Sequence, residues 1–224
     1  MKGALTFAAM IAVVTGLCQH RSWDTIPHIP DHWRELTARF EKEPVVTERI
    51  IFLGNSITEG GNWKRLLKDS TIVNRGIGGD ITFGILQRLA DVVKRKPTRL
   101  FLLIGINDLS KGIPDEVIIE NIFAIVMAIR SGSPLTRIYV QSILPTNASF
   151  ESFPQHYNKD DHVVAINGQL EKYAKQFGFE FINLYPKFLD KEGRLDAQLS
   201  HDGLHLNEAG YQRWVEVLKT GKYL

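Results

Sequence analysis

The stretch Ile50-Ile51-Phe52-Leu53-Gly54-Asn55-Ser56-Ile57-Thr58 decides how this chain folds. Residues 50–53 are an unbroken apolar run, which suits a strand buried on both faces of a parallel sheet. The run stops at Gly54, a residue that lets the backbone turn sharply without a Cβ clash. A polar turn follows. Ser56 therefore falls just past the carboxyl end of a central strand, where open α/β sheets place their ligand crevices. On this stretch alone, Ser56 is equally well an ordinary cap where a strand ends.

Working outward, the same alternation repeats. Residues 31–42 read as a helix capped by Asp31, with Trp33, Leu36 and Phe40 at helical spacing, and Pro44 ends it. A short helix is expected at 63–68 and a short strand at 71–74, leading into the glycine-rich turn Arg75-Gly76-Ile77-Gly78-Gly79-Asp80. Residues 81–96 are a helix, apolar at Ile81, Ile85, Leu89, Val92 and Val93, which Pro97 stops. Lys94-Arg95-Lys96 reads as its solvated end, where cations suit the helix dipole. A second fully apolar strand, 100–104, ends in Gly105-Ile106-Asn107-Asp108. Pro114 opens a helix to about 130, and 137–142 is a fourth strand. The polar loop 145–160 holds Phe150, Phe153, His156 and Tyr157, and its length points to function. A helix at 161–176 is followed by Gly178, then a fifth strand at 179–184. Ser200-His201-Asp202-Gly203-Leu204-His205-Leu206-Asn207 precedes a last helix at 208–219. Five short strands alternating with helices argue for a parallel sheet covered on both faces, an α/β/α sandwich.

The 224 residues suffice for one well-cored domain, and no internal repeat or second domain is visible. Net charge is +2, from 27 basic and 25 acidic residues, with no concentrated basic stripe, so no nucleic-acid partner is expected. Lys2 precedes the apolar stretch 4–17, which is too short to span a bilayer and fits the core of a signal peptide. Residues 1–18 are thus expected to direct export to the periplasm, cell surface or medium, with 19–48 a linker plus the first helix and 49–224 the main folded domain. A buried N-terminal helix is the alternative. Cys18 is the only cysteine, so no internal disulfide can form. Its place after the apolar stretch raises lipid anchoring, against which stands the bulky Leu17. With one cysteine and scattered histidines, no metal-ligand spacing is seen.

Three polar turns share one edge of such a sheet: Ser56 after the first strand, Gly78-Gly79-Asp80 after the second, Asn107 after the third. Asp202 and His205 lie in the turn before the last helix. Here the sequence resembles the SGNH hydrolases, or GDSL esterases and lipases. Four blocks occur in the family's order: Gly54-Asn55-Ser56-Ile57-Thr58, Gly76-Ile77-Gly78-Gly79-Asp80, Gly105-Ile106-Asn107-Asp108 and Asp202-Gly203-Leu204-His205. The block from Gly76 to Asp80 is similar to that of the platelet-activating-factor acetylhydrolase branch. The resemblance spans about residues 50–215 and implies a flavodoxin-like, five-stranded parallel sheet.

It also implies roles. Ser56 would be the nucleophile, His205 the base that takes its proton, and Asp202 the group that orients the imidazole. The backbone N–H groups of Ser56 and Gly79 and the amide of Asn107 would form the oxyanion hole. Taken singly, Gly78-Gly79 is also a plain tight turn, Asn107 a turn former and His205 a helix-start hydrogen-bonder. His201 is a rival base, but it lacks the three-residue offset after an Asp. Asn55 departs from the family, which usually has Asp there. The elbow Gly-x-Ser-x-Gly of α/β-hydrolases is excluded because Thr58 occupies the second glycine position. No cofactor is implied. The expected activity is hydrolysis of small O-acyl esters, acetyl foremost, on carbohydrates. A lysophospholipase or general short-chain carboxylesterase is the alternative, and a non-catalytic carbohydrate-binding module a third reading. Phe150, Phe153 and Tyr157 either line an acyl pocket or pack the loop down.

Overall fold

The computed structural model describes residues 30–224. The expected signal peptide, Cys18 and most of the expected linker lie outside the described residues. Five strands, β1 (Ile50–Gly54), β2 (Val73–Gly76), β3 (Arg99–Leu103), β4 (Arg137–Gln141) and β5 (Glu180–Ile182), form one sheet in the order β2-β1-β3-β4-β5. All four pairings are parallel. Eight α-helices are described: α1 (Asp31–Lys42), α2 (Ser56–Glu59), α3 (Trp63–Leu67), α4 (Thr82–Lys94), α5 (Ile106–Ser110), α6 (Asp115–Gly132), α7 (Asp160–Phe177) and α8 (Glu208–Thr220). Helices α1, α4, α6 and α7 pack side by side as one layer, and α3 and α8 pack together in the other. Among the described residues no helix is long and apolar enough to cross a membrane.

The apolar runs behave as their composition dictates. Ile51, Phe52, Leu53, Leu100, Phe101 and Leu102 are fully buried, because helices cover both faces of the central strands. Phe52, Phe101 and Tyr139 lie opposite one another in register on β1, β3 and β4. Their rings stack at 4.8 Å in each step, and Trp63 of α3 closes the column at 4.0 Å from Phe52. Each such pair adds about 0.5–1.5 kcal/mol beyond its area burial.

Several expected boundaries move. β2 begins at Val73 rather than 71, because the Asp69 carboxylate takes both the N–H and the hydroxyl of Thr71 and holds it in a turn. β5 is shorter than expected at both ends. α1 starts without a side-chain cap, and Asp31 instead pairs with Arg34 along the first turn. Pro114 sits at the cap position of α6, one residue before its first turn. The expected solvated end of α4 is not solvated at Arg95. Its guanidinium is buried, bonded to Asp91 and to the carbonyls of Phe40 and Pro44, because the end of α1 lies over it.

Candidate active site

The sheet register sets three turns level with one another. Gly54 at the end of β1 pairs with Gly76 of β2 on one side and with Leu103 of β3 on the other. At Gly54 close approach, rather than turn sharpness, demands glycine: a Cβ would collide with the Leu103 carbonyl and the Thr58 side chain. The next residues are a helical turn, not an open loop. Asn55 caps α2, its Oδ1 accepting the N–H of Ile57 at 3.0 Å, while its buried Nδ2 has no partner. The accepting oxygen is the part an Asp would equally supply. Ser56 is thereby the first residue of α2, at the carboxyl edge of β1. Gly79 has φ +75°, the left-handed region, and a Cβ there would meet no atom within 4 Å, so the turn is open on that side. Asn107 sits in the first turn of α5, directly after β3, and is buried.

Across from these turns, residues 200–207 bring in the acid and the imidazole. Ser56 Oγ lies 2.9 Å from His205 Nε2, and His205 Nδ1 lies 2.7 Å from Asp202 Oδ2. Asp202 Oδ1 accepts the backbone N–H groups of Leu204 and His205 at 2.9 and 2.7 Å. Burial alone would raise the Asp202 carboxyl, but the N–H and imidazole of His205 and the N–H of Leu204 outweigh it and hold the group below the usual carboxylate range. His201 does not reach Ser56. It is exposed, its Nε2 3.3 Å from Asp202 Oδ2, and its ring lies parallel to that of His205 at 6.1 Å. The three-residue offset separates the two histidines as the sequence suggested. The sequence showed no metal-ligand spacing, yet ligand atoms of His201, Asp202 and His205 lie within 4.8 Å of one another. Both imidazoles meet the same Asp202 Oδ2, His205 at 2.7 Å and His201 at 3.3 Å, which brings the three together.

The opposite side is anchored from below. Asp80, fully buried, takes Arg88 Nε at 2.8 Å, Trp33 Nε1 at 3.1 Å and the N–H of Ile81 at 3.0 Å. Arg88 also donates to the Gly54 carbonyl at 3.0 Å, joining the glycine turn to the strand that carries Ser56. Glu59, three residues after Ser56, accepts the Gly78 N–H at 2.6 Å and bonds His32 of α1 at 2.9 Å. Asn107 Nδ2 donates to the Asp80 carbonyl at 2.9 Å. Asp108 is buried beside it and accepts the hydroxyl and N–H of Thr82 at 2.6 and 3.0 Å. Burial pushes its carboxyl up to about 7, the Thr82 donors pull it down, and the neighbouring Asp80 charge adds to the rise.

Loop 145–160 closes over the site. Phe153 meets the His205 ring edge-on at 5.1 Å, and Phe150 lies against Gly203. The Tyr157 hydroxyl donates to the Asp202 carbonyl at 2.6 Å and accepts the Phe153 N–H at 3.1 Å. His156 Nε2 lies 2.9 Å from Asn107 Oδ1. These aromatics fasten the loop to the turn that carries His205. A cavity of about 830 Å³ opens at the amino ends of β3 and β4 around Thr98, Arg99 and Arg137, and no residue of this site lines it. The sequence reading gave no role to His32, Glu59 or Arg88, placed Trp33 only on the apolar face of the first helix, and quoted Asp108 only within the third block. Arg88 has a signal in the sequence: three residues after Ile85 and seven after Ile81, it stands on the apolar face of its helix.

An all-parallel five-stranded sheet with these four blocks along one edge is the architecture of an SGNH-type hydrolase. The chain belongs to the GDSL-like lipase/acylhydrolase family, whose model matches residues 52–213, and is an ester-hydrolysing enzyme. It is similar to the platelet-activating factor acetylhydrolase IB subunit alpha1 of Bos taurus, 26% identical over 192 residues covering 80% of this chain and 77% of the relative. A Streptococcus pneumonia structure assigned as a platelet activating factor superposes with TM-score 0.77 at 32% identity, covering 85% of this chain and 92% of the other. An acetyl xylan esterase shares the fold with TM-score 0.65 at 20% identity, covering 77% and 98%.

Proposed function

We propose that the chain is an exported serine esterase that removes small acyl groups, acetyl foremost, from carbohydrate alcohols. The observation that carries the serine mechanism is the unbroken line of hydrogen bonds from Asp202 through His205 to Ser56. A serine hydroxyl is a weak nucleophile until a base takes its proton. As Ser56 Oγ bonds to the ester carbonyl carbon, its proton passes to His205 Nε2, and Asp202 steadies the imidazolium. The carbonyl electron pair moves onto oxygen, where the N–H groups of Ser56 and Gly79 and the Asn107 amide receive it. When the tetrahedral species collapses, His205 returns the proton to the departing alcohol. Water, deprotonated by the same imidazole, then releases the acid from Ser56.

The acetyl preference draws on two similar proteins, one named an acetylhydrolase and one an acetyl xylan esterase. The carbohydrate reading joins the second to the export expected from Lys2 and residues 4–17. A lysophospholipase or short-chain carboxylesterase is the second reading, favoured by the likeness to the platelet-activating factor enzyme. Two measurements test the proposal. A fluorophosphonate probe should label Ser56, and labelling elsewhere would overturn the nucleophile. A hydrolysis panel of acetylated glycans, lysophospholipid and p-nitrophenyl esters of rising chain length should favour the acetylated glycans. Faster turnover of lysophospholipid would hand the case to the second reading.

A further inference from the structure

The Asn107 amide is held from both ends, and the two contacts together fix a proton. The Asp80 carbonyl can only accept, so the end of the amide that meets it at 2.9 Å must be the NH₂ group. The amide oxygen therefore faces His156 Nε2 at 2.9 Å, and that ring nitrogen must carry the hydrogen. His156 Nδ1 is then bare, and it is buried with no partner. A second proton there would lie inside the protein without an acceptor. Burial, with the neighbouring charges of His205 and Lys111, accordingly lowers the His156 pKa. The ring is a neutral, single-minded donor, held edge-on by Phe153 at 5.8 Å.

We infer that His156 is a positioning residue for the oxyanion hole: its Nε2–H holds the Asn107 oxygen so that the remaining amide N–H is presented to the ester oxygen. The inference rests on the oxyanion role given to Asn107 above. The geometry has two effects. One amide hydrogen is committed to Asp80, so rotation about the amide would lose both contacts at once. A donor on the amide oxygen also draws electron density from the nitrogen and strengthens its other N–H as a donor. Both act when the oxyanion forms, not when the ground-state ester binds.

The test is a double-mutant cycle on p-nitrophenyl acetate, with kcat and KM read separately. Asn107→Ala should lower kcat by roughly 10²–10³-fold, as removal of one oxyanion donor does elsewhere. His156→Phe, which keeps a ring but has no donor, should lower kcat roughly tenfold with KM nearly unchanged. In the Asn107→Ala background it should cost nothing further. His156→Gln, whose amide can donate, should recover most of the loss. If the phenyl ring is not accommodated, His156→Ala takes its place in the cycle. An equal loss in both backgrounds, or an unchanged kcat in His156→Phe while Asn107→Ala falls, overturns the positioning role alone. An Asn107→Ala enzyme with wild-type kcat overturns the oxyanion reading beneath it.

Discussion

The two sides of the site are built in opposite ways. Apart from the Tyr157 hydroxyl on the Asp202 carbonyl and the Asn147 N–H on the Gly203 carbonyl, the side that carries His205 is local. The carboxylate of Asp202 takes its N–H donors from Leu204 and His205 and bonds the imidazole of the same turn, while Ser200 Oγ binds the His205 carbonyl and the Gly203 N–H. A few residues of chain fix one another, and the surface remains within reach. The side that carries Gly79 and Asn107 is assembled from afar. Trp33 reaches Asp80 across 47 residues of chain, Thr82 reaches Asp108 across 26, and His156 reaches Asn107 across 49. Its centre is a buried ion pair, Asp80–Arg88, with 0% and 2% of the side chains exposed. A local turn can change without disturbing the core. A buried network cannot, so on that side donor placement and stability are one property.

The largest effect should fall on chemistry alone. On the proposed mechanism Ser56→Ala should lower kcat by roughly 10³-fold or more, because a triad acts as a unit and would lose its nucleophile. Its melting temperature should match wild type, since the lost bond to His205 lies at the open edge of the sheet. A near-wild-type rate would take Ser56 out of the reaction. The other side should answer with stability. Arg88→Met removes one partner of a buried pair and a donor to the Gly54 carbonyl. That should cost about 3–5 kcal/mol, chiefly by leaving the Asp80 carboxylate buried and uncompensated. Urea unfolding measures it. A loss below about 1 kcal/mol would show that the two sides do not differ as described.

The same contrast explains what could be read from the sequence. Asp202 and His205 are legible because their partnership is written in a spacing of three residues, and β1 and β3 because each is built on a short, wholly apolar run, residues 50–53 and 100–104. Ser56, Gly79 and Asn107 are legible as a set because each stands where such a strand ends. The charge network is not. Arg88 on an apolar helix face announces that some acid is buried with it, but only the fold brings up Asp80 rather than Asp91, which instead pairs with Arg75 and Arg95. The loop at 145–160 is conspicuous by length. That His156 within it bonds Asn107, and not an acyl group, depends on how the chain returns from β4. The start of β2 is misjudged because a side-chain bond from Asp69 outcompetes the strand tendency of Thr71 and Ile72.

The smallest expected effect is also the sharpest, because the two sides should respond to pH with opposite signs. Asp108, on the buried side, has its carboxyl raised to about 7 in the folded protein, against about 3.9 in an unfolded chain. The folded state then holds the proton more tightly than the unfolded one. Its contribution is complete below about pH 4 and is lost as pH rises towards 7. Asp202, on the local side, is depressed, so its contribution is present above about pH 4 and is lost only as pH falls through its lowered value. Melting temperature should be followed from pH 3 to pH 8 for wild type, Asp108→Asn and Asp202→Asn. Any fixed cost of placing an amide beside Thr82 shifts the Asp108→Asn curve by a constant and drops out of its slope. Between pH 4 and 7 the wild-type advantage over Asp108→Asn should shrink, by at least the 2–4 °C that about 1 kcal/mol is worth in a chain of this size. The difference from Asp202→Asn should instead close below about pH 4, as the Asp202 carboxylate takes up its proton. Parallel curves for wild type and Asp108→Asn would mean that Asp108 is already ionised beside Asp80, and that the buried side carries two negative charges rather than one.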